Sequence, residues 1–262
     1  MKIYKYFALA MLAGMLTSCC GNTTAETKIH VIFDNPSPRT MPLGLFGEVP
    51  DSLATALNIQ DGVPSSVSVM LVEKDCRQLL FDAGNGNVDS QLLPYLQKLG
   101  LSAMDIDAVF ITHLHGDHIG GLTKDGQKVF PQAKLYVSSV ELDAWMQRPD
   151  GAPQNVKDLV NTYGEDLVKF NSSEELPCGV ESIPAYGHTP GHTIYRVDDM
   201  LIVGDIMHGV ALQMAHPEYC ARFDMDMEQS IASRKSILEQ VASKGWKMYG
   251  MHFPTTEALV HP

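Results

Sequence analysis

The sequence predicts a single α/β domain, on three observations. Short apolar runs alternate along the chain with longer segments of helical period. No repeat, low-complexity run or linker divides them, and 262 residues are enough to bury a sizeable core. Finally, the run His113-Leu114-His115-Gly116-Asp117-His118 follows directly on the apolar stretch Ala108-Val109-Phe110-Ile111-Thr112. There a buried strand gives way to a loop and a glycine-rich helix start.

Residues 1–18 read as a targeting segment and not as fold. Lys2 and Lys5 form a basic start, and the apolar run Phe7 to Leu16 is too short to span a bilayer. Leu16-Thr17-Ser18-Cys19 resembles the lipobox of bacterial lipoproteins, where cleavage precedes a cysteine that becomes lipid-modified. This implies an acyl anchor on Cys19 (Cys20 being the alternative acceptor), with 19–28 as a polar tether. The expected location is the bacterial cell envelope, lipid-anchored and facing the periplasm or the cell surface. An ordinary signal peptide or an uncleaved anchor is the competing reading.

The domain then occupies 29–262. Ile29 to Phe33 reads as a first strand. Residues 36–64 are rich in Pro and Gly but carry Met41, Leu43, Leu45 and Phe46, so this segment is expected to dock as a lid, an oligomer contact or core cover. Val67 to Val72 and Gln78 to Phe81 form a hairpin around residues 73–77. Ser90 to Leu99 is helical, Ala108 to Thr112 and Lys134 to Val137 are strands, and Ser138 or Ser139 can cap a helix through Met146. A helix follows from Gln154 to Tyr163. Leu201-Ile202-Val203 is a strand, Met227 to Ser243 a long amphipathic helix, and Lys247 to Gly250 the last strand.

Acidic residues outnumber basic ones, 31 to 19, for a net charge of −12. That balance argues against nucleic acid as a partner, since phosphate neutralisation needs Lys and Arg. It leaves room for a small anionic substrate, because a metal centre is locally positive. The cysteines are scattered without a CxxC, and the sequence does not pair them.

Imidazole and carboxylate are the usual protein ligands for zinc and similar divalent ions. Four such groups within 113–118 point to a metal site. Three further candidates stand downstream: His192 in Gly187-His188-Thr189-Pro190-Gly191-His192-Thr193, Asp205 after Leu201-Ile202-Val203-Gly204, and His252 in Gly250-Met251-His252-Phe253-Pro254. This order of residues, spanning 82 to 252, resembles the metallo-β-lactamase superfamily.

The resemblance implies an αβ/βα four-layer sandwich, two mixed sheets with helices outside and metals at one edge. It assigns His113, His115 and His192 to one divalent ion and Asp117, His118 and His252 to a second, with Asp205 bridging. Asp82 would orient a ligand histidine, and His188 would shape the turn that presents His192. Two ions of this kind, zinc first with manganese, iron or cobalt also allowed, share a hydroxide and cleave ester-like bonds. Asp117 would also shuttle a proton. Branches of the superfamily differ at two of these positions. Glutamate usually replaces His115 in the di-iron oxidoreductases, and zinc β-lactamases lack the bridging aspartate.

Gly204-Asp205-Ile206-Met207-His208, Arg222-Phe223-Asp224-Met225-Asp226, Ser233-Arg234-Lys235 and Met251-His252-Phe253-Pro254 look like the methyl parathion hydrolase branch, which also contains lactonase-like enzymes. Thr255-Thr256-Glu257 departs from that pattern. The expected substrate is therefore a small lactone, aryl ester or phosphotriester, with His208 contacting substrate or donating a proton. Asp224 and Asp226 are read as caps of the long helix. The alternatives are a glyoxalase II-like thioesterase or persulfide dioxygenase, or a metal- or ligand-binding lipoprotein without turnover. A homodimer is compatible with the sequence.

Overall fold

The computed structural model describes residues 26–172 and 174–260. The expected signal segment 1–18, Cys19 and most of the tether lie outside the described residues. The first part of the fold runs β1 (Lys28–Phe33), β2 (Arg39–Met41), α1 (Asp51–Ala56), β3 (Val63–Ser65), β4 (Ser68–Lys74), β5 (Arg77–Phe81) and α2 (Leu92–Lys98). The middle comprises β6 (Ala108–Ile111), α3 (Gly116–Ile119), β7 (Thr123–Lys124), β8 (Gln127–Lys128), β9 (Lys134–Ser138), α4 (Ser139–Met146), α5 (Gln154–Tyr163) and β10 (Leu167–Phe170). The remainder is β11 (Glu181–Pro184), β12 (Thr193–Val197), β13 (Met200–Ile202), α6 (Val210–Gln213), α7 (Met227–Lys244) and β14 (Lys247–Tyr249).

Alternation of side chains across the strands builds four layers. In β4 and β6, Val69, Leu71, Val109 and Ile111 face α2, α4 and α5. Their neighbours Met70, Val72, Ala108 and Phe110 face the second sheet, where they meet Tyr195, Val197, Met200 and Ile202. Ile194 and Leu201 point the other way, onto Ile237, Leu238 and Val241 of α7. The larger sheet has the order β1-β4-β5-β6-β9-β10 and the smaller β11-β12-β13-β14, and each mixes parallel and antiparallel pairs. This is the sandwich expected from the sequence.

The strands β10, β11 and β12 were not legible beforehand. Polar or charged residues interrupt each of them (Lys169, Glu181 and Ser182, Thr193 and Arg196), so none reads as an apolar run. The hairpin between β4 and β5 is tighter than expected: only Asp75 and Cys76 turn the chain, both at positive φ. Ser138 stands at the start of α4 without capping it through its side chain, while the hydroxyl of Ser139 donates to Asn171 instead. Segment 36–64 is docked: Phe46, Ala54, Ile59 and Val63 bury with Leu212 and Ala221.

Two features carry this frame to the site. Phe81, Phe110 and Tyr195 cluster between the sheets with ring centroids 5.1–5.5 Å apart. Tyr195 then donates its hydroxyl to the Ile111 carbonyl at 2.7 Å, pinning the sheets together where β6 ends. Truncating Phe110 to alanine would cost about 3–5 kcal/mol. Because β5, β6, β13 and β14 all end at the same edge, Asp82, His113, Asp205 and His252 converge there. No helix among the described residues is long and apolar enough to cross a membrane.

Candidate metal centre

Backbone geometry seats the ligand-type residues first. Asp82 follows β5 at φ 57 and is fully buried. Its carboxylate accepts from Thr112 N at 2.8 Å and Thr112 Oγ1 at 2.7 Å, so the ends of β5 and β6 are bolted together. His115 precedes the four-residue α3, which carries Asp117 and His118. Gly120 lets the loop after α3 press against Asn85, where a Cβ would overlap the Asn85 carbonyl.

The outer nitrogens of four buried imidazoles are anchored, which fixes the orientation of each ring. His118 Nδ1 donates to Asp82 Oδ2 at 2.6 Å, His113 Nδ1 to Thr112 Oγ1 at 3.1 Å, and His252 Nδ1 to Ser66 O at 2.7 Å. His188 Nδ1 donates to Asp224 Oδ1 at 2.9 Å. In His113 and His188 the inner nitrogens are thereby left as lone pairs, and they face one another and a ring nitrogen of His115. His113 Nε2 lies 2.9 Å from His115 Nδ1 and 3.1 Å from His188 Nε2, and the latter two are 2.9 Å apart.

Asp205 stands between two such groups. Its Oδ2 is 3.7 Å from His113 Nε2 and 3.4 Å from His188 Nε2, while its Oδ1 faces His118 Nε2 at 3.3 Å. His252 Nε2 approaches Asp205 Oδ2 at 3.1 Å and Asp117 Oδ2 at 3.7 Å. Ligand atoms of His113, His115, His188 and Asp205 lie within 4.8 Å of one another, as do those of Asp117, His118 and His252.

These residues fit divalent ions. His118 Nε2 and Asp205 Oδ1 are buried and make no hydrogen bond, facing each other only as an ion pair at 3.3 Å, an arrangement that a cation between them would satisfy better. A tetrahedral zinc with bonds of about 2.0–2.1 Å spaces its ligand atoms roughly 3.3 Å apart, close to the separations seen.

One expectation needs correction. His192 does not join either group, although it is fully buried. Its Nδ1 donates to Ala185 O at 3.1 Å, and its Nε2 accepts the Asp205 backbone N–H at 3.0 Å. No lone pair is left for a metal. His188, expected only to shape this turn, takes the place assigned to His192. The role of His192 is to hold the main chain of Asp205, and Gly204 (φ +52) makes room for it, since a Cβ there would lie 2.5 Å from His192 Nε2.

A second correction concerns Asp224. Asp226 caps α7 by accepting from Gln229 N, whereas Asp224 is buried against His188 and Arg234. His208 lies in the centre, its ring stacked on His252 at 5.1 Å and its Nε2 3.1 Å from Asp205 Oδ2. Its Nδ1 is buried without a partner.

Electrostatics divide the imidazoles. Burial lowers His113 well below the ordinary value, His115 to about 4 and His192 to about 3. Burial acts the same way on His118 and His252, but the carboxylate of Asp205 outweighs it and raises both, with Asp82 and Asp117 assisting at His118. For Asp205 itself burial is overcome by His252, His118 and His208, which hold it well below the usual carboxylate range.

Sequence reasoning missed Glu141. This fully buried carboxylate on α4 accepts from Leu114 N (2.9 Å), Trp145 Nε1 (2.6 Å), Thr189 Oγ1 (2.7 Å) and Gly191 N (2.9 Å). It joins the loop of His113 and His115 to the turn of His188. A single glutamate in a helix carries no signal of such a role.

A family model described as Metallo-beta-lactamase superfamily matches residues 62–252. The chain belongs to this superfamily. Among curated members of the superfamily, it is 30% identical over 139 residues to the hydroxyacylglutathione hydrolase of Aeromonas hydrophila, covering 53% of this chain and 46% of that protein. It is 40% identical over 185 residues to the ribonuclease Z of Haloferax volcanii, covering 68% and 51%. The chain thus spans about half the length of these two relatives. Two solved superfamily structures share the fold across 91% of both chains at 23% identity. They are the hydrolase AbOPH (TM-score 0.80) and AidC, a dizinc quorum-quenching lactonase (TM-score 0.81).

Proposed function

We propose that this chain is a dinuclear metal-dependent hydrolase of small ester-like substrates. The observation that carries the reading is the convergence of three imidazole nitrogens beside His118 Nε2 and Asp205 Oδ1, a buried pair that makes no hydrogen bond. His113, His115 and His188 would hold one ion, Asp117, His118 and His252 the other, and the two oxygens of Asp205 would serve both. Divalent ions there, zinc foremost, supply Lewis acidity and lower the pKa of a shared water toward neutrality.

The chain's own residues do the rest. Asp82, Thr112, Ser66 and Asp224 keep the outer N–H of four of the five ligand histidines engaged, so the inner nitrogens stay on target. Asp117 is the partly exposed member, its side chain 32% accessible, and can pass a proton between site and solvent. His208 lines the cavity over the centre, where it would meet a substrate oxygen. Met41, Val67 and Phe223 supply an apolar wall suited to an acyl or aryl group. A lactone, aryl ester or phosphotriester fits this surface, and the acidic net charge of −12 favours a small molecule over RNA.

A thioesterase reading is the second candidate, favoured by the match to a hydroxyacylglutathione hydrolase. The deciding experiment is elemental analysis of protein purified without added metal, followed by a panel of lactone, aryl ester, phosphotriester and glutathione thioester. We expect close to two equivalents of metal, turnover of oxygen esters, and loss of that turnover after EDTA. Protein that binds no metal, or turnover that survives EDTA, would reject the proposal. Preference for the thioester would select the second reading. We also propose the acyl anchor on Cys19, and an unmodified Cys19 in mass spectrometry of the mature protein would remove it.

A further inference from the structure

Arg39 stands out among the arginines. Of the six in the chain, Arg77, Arg148, Arg196 and Arg234 each pair with a carboxylate. Among the described residues Arg39 and Arg222 have none, although acidic side chains outnumber basic ones 31 to 19, and of these two Arg39 alone reaches the cavity over the metal centre. It lines the cavity of about 300 Å³ above the metal centre, and Arg39 is the one Lys or Arg in that lining. It also lines a neighbouring groove of about 290 Å³ walled by Phe33, Pro36, Pro38, Pro64 and Pro254, and so stands where the two spaces adjoin.

Its position is built into the fold. Arg39 and Met41 share one face of β2, and both line the cavity. Arg39 is registered opposite Ser65 of β3. Ser65 Oγ lies 3.3 Å from the His208 carbonyl and 3.4 Å from that of His252. The adjoining Ser66 donates to Phe253 O at 2.6 Å. The strand that carries the guanidinium is therefore tied to two histidines of the centre.

Resting on the hydrolase reading, we propose that Arg39 is a specificity-determining residue for substrates bearing an anionic group, a carboxylate or phosphate, remote from the scissile ester. A guanidinium fork pairs with either anion through charge-assisted hydrogen bonds. The apolar wall takes the intervening chain, and the ester carbonyl reaches the centre. Hydrolysis then releases a product with two acidic groups.

The test uses metal-loaded full-length protein and three p-nitrophenyl esters of equal chain length: the hexanoate, the monoester of adipate, and a 6-phosphonooxyhexanoate. Wild type is expected to favour the acid-ended esters through KM. Arg39→Met should lower the ratio of kcat/KM for acid-ended over neutral ester by about tenfold to a hundredfold, with partial rescue by Arg39→Lys. The better of the two acid-ended esters identifies the anion. Arg77→Met removes the same charge from a site outside the cavity and should leave the ratio unchanged. A ratio unmoved by Arg39→Met, or moved equally by Arg77→Met, overturns the proposal. Should no ester turn over, the hydrolase reading fails, and calorimetry with adipate against hexanoate still decides the subsite. Equal adipate binding by wild type and Arg39→Met would then refute it.

Discussion

Segment 113–118 and the turn 187–192 deliver buried imidazoles to the same edge of the sandwich, by different logic. In the first, four ligand-type residues lie within six positions, and one nitrogen of each imidazole and the carboxylate of Asp117 turn toward the centre. In the second, His188 and His192 are both buried, at 2% and 0% exposure, and only one is available. Asp224 occupies the outer nitrogen of His188 and frees the inner one. Main-chain groups consume both nitrogens of His192. A histidine becomes a ligand through the nitrogen its neighbours leave over, and burial by itself does not distinguish the two cases.

The contrast breaks most decisively by substituting the two histidines separately. His188→Ala should lose about one metal equivalent and more than a hundredfold in hydrolysis, beyond what loss of a supporting partner costs. His192→Ala should keep its metal but lose roughly 2–4 kcal/mol, from the cavity and the stranded Asp205 N–H. Metal counting and urea titration read both. If the two outcomes were exchanged, the assignment of His188 would be wrong.

The aspartates near α7 sharpen the same point on a smaller scale. Asp224→Asn should weaken metal binding by about 10–100-fold in a chelator competition. Asp226→Ala should leave metal binding intact and cost about 0.5–2 kcal/mol of stability by removing the helix cap. Glu141→Gln places an amide against donors that need acceptors, and should cost about 1–3 kcal/mol in thermal unfolding. Unchanged stability in that variant would show that the two loops are held by other means.

The smallest effect is on pH. Unfolded histidine takes a proton near pH 6.5, whereas His115 and His192 in the folded protein do so only at about 4 and about 3. Between those values the unfolded state binds more protons, so metal-free protein loses stability as pH falls from 7 toward 4. His118 and His252 are shifted upward and act oppositely, losing their contribution as pH rises above 6.5. Urea midpoints of EDTA-stripped protein at pH 5, 6 and 7 should therefore show a flatter acid limb in His192→Gln than in wild type. An identical slope would contradict the depressed His192.

Much of this molecule was legible in its chain. The apolar runs at 67–72, 108–112 and 201–203 and the long amphipathic helix announced the layers, because burial on both faces makes a strand continuously apolar and burial on one face gives a helix its period. The strands β10 to β12 did not, because polar residues break their apolar character. The cluster at 113–118 was legible because its spacing is local. The choice between His188 and His192, the buried bond from Asp224, and Glu141 as the tie between two loops were not. Each depends on which hydrogen-bonding atom of a distant segment arrives first. By itself the sequence determined which residue types could bind a cation and roughly where the strands lie. Only the tertiary structure decided which nitrogen keeps a free lone pair, since the partners that settle it, 7 to 36 residues away for His192 and His188, are brought together by the fold.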